Sequence, residues 1–259
     1  QEAILISEIP VLKGITDRVS SKVKAQYETN PYPRWVSLGL PLKPLPISEL
    51  ARNLELRIFD SSIYNVANPS ILIGGCGTGQ HSIETASLFR NSKVTAIDLS
   101  SASLAYAKRQ SKKLGVRNIE YMQADILDLG KLDRQFDIVE SAGVLHHMDD
   151  PMAGWKVLTD CLKPGGIMRI ALYSELGWQD ITKLREAILE SGINSKDASL
   201  KEFRKELINS KDDFHKRILK SPECYSTSNF RDLLFHVQVH VFTLPQIKKC
   251  LSDLGLKFS

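Results

Sequence analysis

The stretch that most limits what this chain can become is Ile71 to His81, which reads Ile-Leu-Ile-Gly-Gly-Cys-Gly-Thr-Gly-Gln-His. Three β-favouring residues run into glycines at 74, 75, 77 and 79, and Ser82 to Phe89 then resumes helical spacing through Ile83, Ala86 and Phe89. Strand, glycine turn and helix in that order open a nucleotide-binding βαβ unit. A side chain at Gly75 or Gly77 would keep a ligand off the backbone. The helix behind the turn aims unpaired N–H groups at whatever negative group lies before it. The dinucleotide fingerprint Gly-x-Gly-x-x-Gly is not met, because Gly75-x-Gly77-x-Gly79 is shorter and runs into Gln80 and His81. A glycine loop on its own is equally a plain tight turn. The rest of the chain has to decide.

Downstream, strand and helix signals alternate. Val94 to Ile97, Ile119 to Met122, Phe136 to Val139 and Gly166 to Leu172 read as strands. Ser100 is a helix N-cap, and Leu104, Ala107 and Leu114 share the face of a helix that Gly115 stops. A helix from Asp150 through Cys161 joins the last two strands. This alternation predicts an α/β fold with a parallel sheet covered on both faces.

Around this core, residues 1 to 30 read as helix, with Val11, Ile15, Val19 and Val23 at spacings of four. The prolines of Asn30-Pro31-Tyr32-Pro33-Arg34-Trp35 stop it. Residues 174 to 241 are helix-rich and charged, although Val237, Val239 and Val241 alternate with polar residues as a short strand would. Thr243 and Pro245 start a last helix that ends at Gly255. The basic run from Lys201 to Lys220 reads as a solvated helix face, with an acidic protein partner as the sharper alternative.

A chain of 259 residues with 42% hydrophobic and 25% charged residues has room for one large core and a small accessory unit. Its net charge of +4 is too mild to argue for nucleic acid. No apolar run is long enough for a membrane span, and Gln1-Glu2-Ala3 carries no signal-peptide pattern and no initiator Met, as expected of a fragment or processed chain. Cys76, Cys161, Cys224 and Cys250 stand far apart, the pattern of reduced thiols in a cytoplasmic protein.

Asp98 closes the second strand, where a carboxylate reaches both ribose hydroxyls of an adenosine; a helix cap is its plain alternative. Asp125, in Gln123-Ala124-Asp125-Ile126, ends the third strand and is equally readable as a turn or cap. The glycine loop, Asp98, Asp125, the stretch Phe136-Asp137-Ile138-Val139-Glu140-Ser141-Ala142-Gly143-Val144-Leu145-His146-His147-Met148-Asp149-Asp150-Pro151 and the Lys163-Pro164-Gly165-Gly166 turn together resemble the class I S-adenosylmethionine methyltransferases, notably those related to ubiquinone synthesis. The resemblance covers about residues 65 to 175. Tyr27 to Trp35 and Phe235 to Phe242 resemble a bacterial branch linked to tetratricopeptide repeats, and the rickettsial lysine methyltransferases that modify outer-membrane proteins.

The resemblance implies a Rossmann-like sheet divided as 1–64 helical lid, 65–173 cofactor-binding core, 174–241 helical insertion over the acceptor site, and 242–259 last helix with the beginning of a final hairpin at Leu256 to Phe258. The natural protein is then expected to be longer. The implied cofactor is S-adenosylmethionine, leaving as S-adenosylhomocysteine. Its implied contacts are Gly75, Cys76, Gly77 and Gln80 from the loop, Asp98 and Leu99, Asp125 and Ile126, and Ser141 and Gly143, with Tyr27 and Arg34 of the lid at the methionine end. The family's usual acid in the first strand is Ile73 here, so Gln80 or an N-terminal residue is expected to serve that end.

On the acceptor side the candidates are His146, as a wall residue or base with a packed histidine as the alternative, and Tyr32, Trp35 and His240. Tyr173, Trp178 and His236 complete the expected aromatic entrance. No metal is expected, since adjacent histidines on extended backbone point apart and no further ligand cluster accompanies them. The reaction implied is in-line methyl transfer to a protein lysine, an outer-membrane protein being one candidate. The alternatives are a small molecule of the quinone-pathway kind and a non-catalytic cofactor-binding domain. No nucleic-acid partner is expected, and a homodimer stays open.

Overall fold

The computed structural model describes residues 2–259; Gln1, the first residue of the expected lid segment, lies outside them. Five parallel strands form one sheet: β1 (Ser70–Gly74), β2 (Lys93–Asp98), β3 (Ile119–Gln123), β4 (Phe136–Ala142) and β5 (Leu162–Ala171). Their order across the sheet is β3-β2-β1-β4-β5, the Rossmann-like arrangement expected. The chain reverses direction across the sheet between β1 and β4, and ligands bind at the carboxyl ends beside such a switch point.

Alternation along β1 builds the two layers. Ile71 and Ile73 face one core with Ala86 and Leu104, from α4 (Gln80–Leu88) and α5 (Ser101–Leu114). Leu72 faces the other core with Trp155 and Leu158 of α6 (Pro151–Asp160) and Cys250 of the last helix (Leu244–Asp253). Both faces are thus covered, which is why these strands read as continuous apolar runs.

The N-terminal expectation needs correction. Residues 2 to 29 are two helices, α1 (Glu2–Ser7) and α2 (Arg18–Thr29), not one, and α3 (Ile47–Asn53) follows them before the sheet. Pro10 cannot continue the first, and Asp17 starts the second by accepting from the Ser20 amide at 2.7 Å. Between them the Leu12 amide donates to the Gln123 carbonyl, and Gln123 returns the bond to Pro10 at the edge of β3. The four-residue spacing of Val11 and Ile15 was therefore accidental.

After β5 come α7 (Glu175–Ser191), α8 (Asp197–Asn209), α9 (Asp213–Ile218) and α10 (Thr227–Phe235). They share a core of their own, around Leu184, Leu200, Leu207, Cys224 and Phe230. Lys201, Lys205, Lys211, Lys216 and Lys220 are exposed. Val237 to Val241 forms no strand. It is an extended tie, with His240 donating its amide to the His146 carbonyl and Phe242 to that of Tyr173, both at 2.8 Å. Leu256 to Phe258 makes no strand pairing among the described residues.

Candidate active site

The glycine loop is shaped by what must approach it. Gly75 has φ +77° and Gly77 φ +51°, both in the left-handed region. A Cβ on Gly75 would overlap the Val144 side chain beyond β4, and one on Gly77 would overlap the Tyr32 carbonyl oxygen. The loop amides are held from β2: Gly75 and Cys76 both donate to the Ile97 carbonyl, at 2.9 and 2.8 Å. Gly77 donates to Asp98 Oδ2 at 2.7 Å, and Ser100 donates to Asp98 Oδ1 at 2.9 Å. Burial nonetheless pushes the Asp98 carboxyl up to about 6, against those hydrogen bonds.

A cavity of about 570 Å³ opens at the carboxyl ends of the strands. Gly75, Cys76, Gly77 and Gln80 line its loop side, with Asp98, Leu99, Asp125 and Ile126 beside them and Gly143 across from them. Asp125 accepts from the Leu127 amide at 3.0 Å and caps a short 3-10 helix, so its cap and cavity-lining readings coexist. The donor set fits S-adenosylmethionine. Each Asp98 oxygen takes one backbone amide and keeps a lone pair for a ribose hydroxyl, while Ile97, Leu99 and Ile126 offer an apolar slot to a purine.

Ser141 is not on this wall. It is fully buried, and its Oγ donates to the Gly74 carbonyl at 3.0 Å, tying β4 to β1. The acid missing at Ile73 has a counterpart one strand away, since Ile73 registers with Glu140. Glu140 is buried, yet hydrogen bonds from His81 Nε2 (2.8 Å) and Thr85 Oγ1 (2.7 Å) outweigh burial and hold it below the usual carboxylate range. His81, Glu84 and Arg169 line the cavity there, and none of them was singled out in the sequence.

The opposite wall comes from distant segments. Tyr27 and Tyr32 line it from the N-terminal segment, His147, Met148 and Tyr173 from the core, and Asn229 and Asp232 from α10. Tyr27 donates its hydroxyl to Asp232 Oδ1 at 2.7 Å. Trp178 stacks on Tyr173 with ring centroids 3.7 Å apart. Asp232 is 6% exposed, and burial pushes its carboxyl up to about 6 despite the Tyr27 bond. Its local mark is Asn229 three residues earlier, on the same face of α10 and on the same cavity wall.

Several acceptor-side expectations fall elsewhere. His146 lies behind the wall, fully buried, with neither ring nitrogen partnered and its pKa driven down to about 2 by burial. Its ring packs on Tyr173 at 3.9 Å, so the packed-histidine alternative describes it, and its neighbour His147 reaches the cavity instead. His240 and His236 belong to the tie, His240 Nε2 lying 3.0 Å from the Met148 carbonyl and His236 stacking on His147 at 3.5 Å. Arg34 is exposed and off the cavity wall. Trp35 is buried against the loop, where its Nε1 donates to Thr78 Oγ1 at 3.1 Å. It fastens the N-terminal segment, together with Thr78 donating its amide to the Tyr32 carbonyl and Glu28 accepting from the Ser101 and Ala102 amides. Among the described residues no cluster of potential ligands is arranged for a metal.

Known proteins repeat this architecture. Residues 71–166 match a family model described as a methyltransferase domain. A protein of Synechococcus sp. is 39% identical over 124 residues, covering 48% of this chain and 30% of its own length. A ubiquinone biosynthesis O-methyltransferase of Pseudomonas syringae pv. tomato is 35% identical over 103 residues, covering 39% and 43%. Among solved structures, PKMT2 from Rickettsia typhi in complex with AdoHcy is similar in fold, with a TM-score of 0.57 at 20% identity, covering 71% of this chain and 38% of that one. The chain thus spans less than half the length of each of these relatives.

Proposed function

Because residues 71–166 belong to the class I S-adenosylmethionine-dependent methyltransferases, we propose that this chain moves the donor's methyl group onto an amine, in the first instance a protein lysine side chain. The observation that carries this reading is the single cavity whose two walls differ in kind. One wall is glycine backbone with Asp98 and Asp125; the other is Tyr27, Tyr32 and Tyr173 around the Asp232 carboxylate. Aromatic faces with an acid among them suit a long aliphatic chain that ends in a cation.

When bound, S-adenosylmethionine supplies a methyl group activated by its sulfonium. Asp98 accepts from the ribose hydroxyls, Asp125 and Ile126 receive the adenine, and the Gly75–Gly77 backbone with Gln80 carries the methionine end. Tyr27, Tyr32 and Tyr173 exclude water and align the incoming amine. The 174–241 segment caps the acceptor side, and a protein substrate, an outer-membrane protein among the candidates, reaches it from there. Four buried free thiols favour a cytoplasmic setting. The described residues contain no helix long and apolar enough to cross a membrane.

A quinone-pathway phenol is the second reading, favoured by the Pseudomonas relative. Calorimetric titration with S-adenosylhomocysteine on wild type and Asp98→Ala tests the cofactor half first, the mutant being expected to lose about 10- to 100-fold in affinity. Labelled-methyl transfer to lysine-rich proteins, run beside a catechol acceptor, then tests the acceptor. Label on the catechol alone would replace the amine reading with the phenol one.

A further inference from the structure

We propose that Asp232 is the anchor for the acceptor's ammonium group and takes the proton that this group must lose; the inference rests on the amine-directed reading above. Asp232 lines the cavity from α10. Its Oδ1 is satisfied by the Tyr27 hydroxyl, whereas Oδ2 accepts no hydrogen bond among the described residues. A carboxylate this deeply buried ordinarily has a cationic partner. None of the ion pairs among the described residues includes it.

The cation at hand, Arg185, acts on Asp232 through its charge but makes no hydrogen bond to it. Arg185 of α7 donates to the carbonyls of Leu233 and His236, at 3.2 and 2.7 Å, and not to the carboxylate. The other titratable groups around Asp232 are Tyr27 from α2, Tyr32 from the segment after it, Tyr173 after β5, and Glu223 from the short helix before α10. None of these supplies positive charge. The partner that Oδ2 lacks is therefore a cation, reached from the cavity that also holds Asp98. A primary ammonium on an alkyl chain has that chemistry, whereas a phenol could donate a hydrogen bond to Oδ2, as Tyr27 does to Oδ1, but would bring no positive charge.

The same contact prepares the nucleophile. An ammonium has no lone pair, so R–NH3+ first hands a proton to the carboxylate, giving R–NH2 and the carboxylic acid. The amine nitrogen then forms its bond to the methyl carbon as the carbon–sulfur bond breaks, its electron pair staying on sulfur. The product leaves as the methylammonium, and the Asp232 proton returns to water. Burial favours the protonated carboxyl and so makes Asp232 a better base near neutrality than an exposed aspartate.

The test is a ligand-observed NMR titration of the 259-residue chain with hexylammonium and with hexanol, in the presence of S-adenosylhomocysteine. Wild type should prefer hexylammonium, and Asp232→Asn, which keeps the side chain's shape, should lose about 10- to 100-fold of that affinity. Hexylammonium binding should weaken as pH falls through about 6. Tyr27→Phe, which removes the hydrogen bond favouring the charged carboxyl, should move that midpoint upward, a shift that mere loss of packing would not produce. Equal binding of hexanol, or undiminished binding by Asp232→Asn, overturns the proposal. Titrating all three proteins with S-adenosylhomocysteine alone keeps the methyl-transfer reading separable. Failure of wild type to bind it would end that reading, whatever the ammonium result.

Discussion

The two walls of the cavity are built by different means. On the cofactor wall the decisive groups are backbone amides and two carboxylates held by neighbours close in sequence, as Gly77 and Asp98 are 21 residues apart and Asp125 and Leu127 two. On the acceptor wall they are side chains converging from the ends of the chain. Tyr27 meets Asp232 across 205 residues, and Asn30 meets Arg231 across 201. A backbone-built wall admits little change without losing its ligand. A side-chain-built wall can be rewritten while the sheet stays as it is. On the proposed reading, donor chemistry follows from the fold and acceptor choice from a few residues on α2 and α10.

The largest difference between the walls should appear on acidification. His146, His147 and His236 sit where the tie joins the core, with pKa values driven down to about 2, 4 and 2 by burial. Above their unfolded pKa of about 6.5 they are neutral in both states, and their contribution to stability is complete. As pH falls, the unfolded chain takes up protons that the folded one refuses, so stability is lost toward the folded values. Asp232, raised to about 6, works the other way and offsets part of one imidazole. The net loss at the acceptor wall is on the order of 4 kcal/mol by pH 5. The cofactor side has the raised Asp98, which favours the folded state as it protonates, and the lowered Glu140, whose contribution is lost only as pH falls below about 4.5. Hydrogen exchange at pH 7 and 5, corrected for intrinsic rates, should show residues 145–148 and 236–242 losing protection while β1 to β3 keep it. Uniform loss would erase the distinction.

That contrast also explains what was legible in the sequence. The sheet, its helices, the glycine turn and Asp98 follow rules that act within a few dozen residues: apolar runs, caps, and glycine where backbone must be approached. The single helix expected over residues 1 to 30 failed because Pro10 and Gly14 break it; the spacing is real for Val19 and Val23, which are buried on α2, and accidental for Val11 and Ile15. Val237 to Val241 alternates like a strand, but the His240 amide goes to the His146 carbonyl and the Gln238 amide to His236 Nδ1 instead of a ladder. Pattern gives Asp232 and His147 little weight, because the partners that give them meaning lie far away in the chain. Choosing between His146 and His147 needs the direction of a single turn, which pattern does not carry.

The next largest effect belongs to the loop where the walls touch. Gly77→Ala combines a left-handed backbone with a Cβ that overlaps the Tyr32 carbonyl, and should cost about 100-fold in S-adenosylhomocysteine affinity. Gly143→Ala is the control: its φ is +76°, but nothing lies within 4 Å of the added carbon. It should lose only about 10-fold, the cost of the left-handed conformation. Equal losses would mean that the approach of Tyr32 contributes nothing to closing the cofactor site.

The smallest effect is the most discriminating, because it separates fastening from contact. Trp35 does not line the cavity, yet its indole N–H holds Thr78, whose amide in turn holds the Tyr32 carbonyl. Trp35→Phe keeps most of the buried ring and deletes that donor, at about 1 kcal/mol, or about fivefold in S-adenosylhomocysteine affinity if the segment closes over the donor. Hexylammonium affinity measured without the donor should stay unchanged, since the Tyr27–Asp232 contact does not depend on the indole. Equal weakening of both ligands would mean that the N-terminal segment sets both walls together. Weakening of neither would reduce Trp35 to a packing residue.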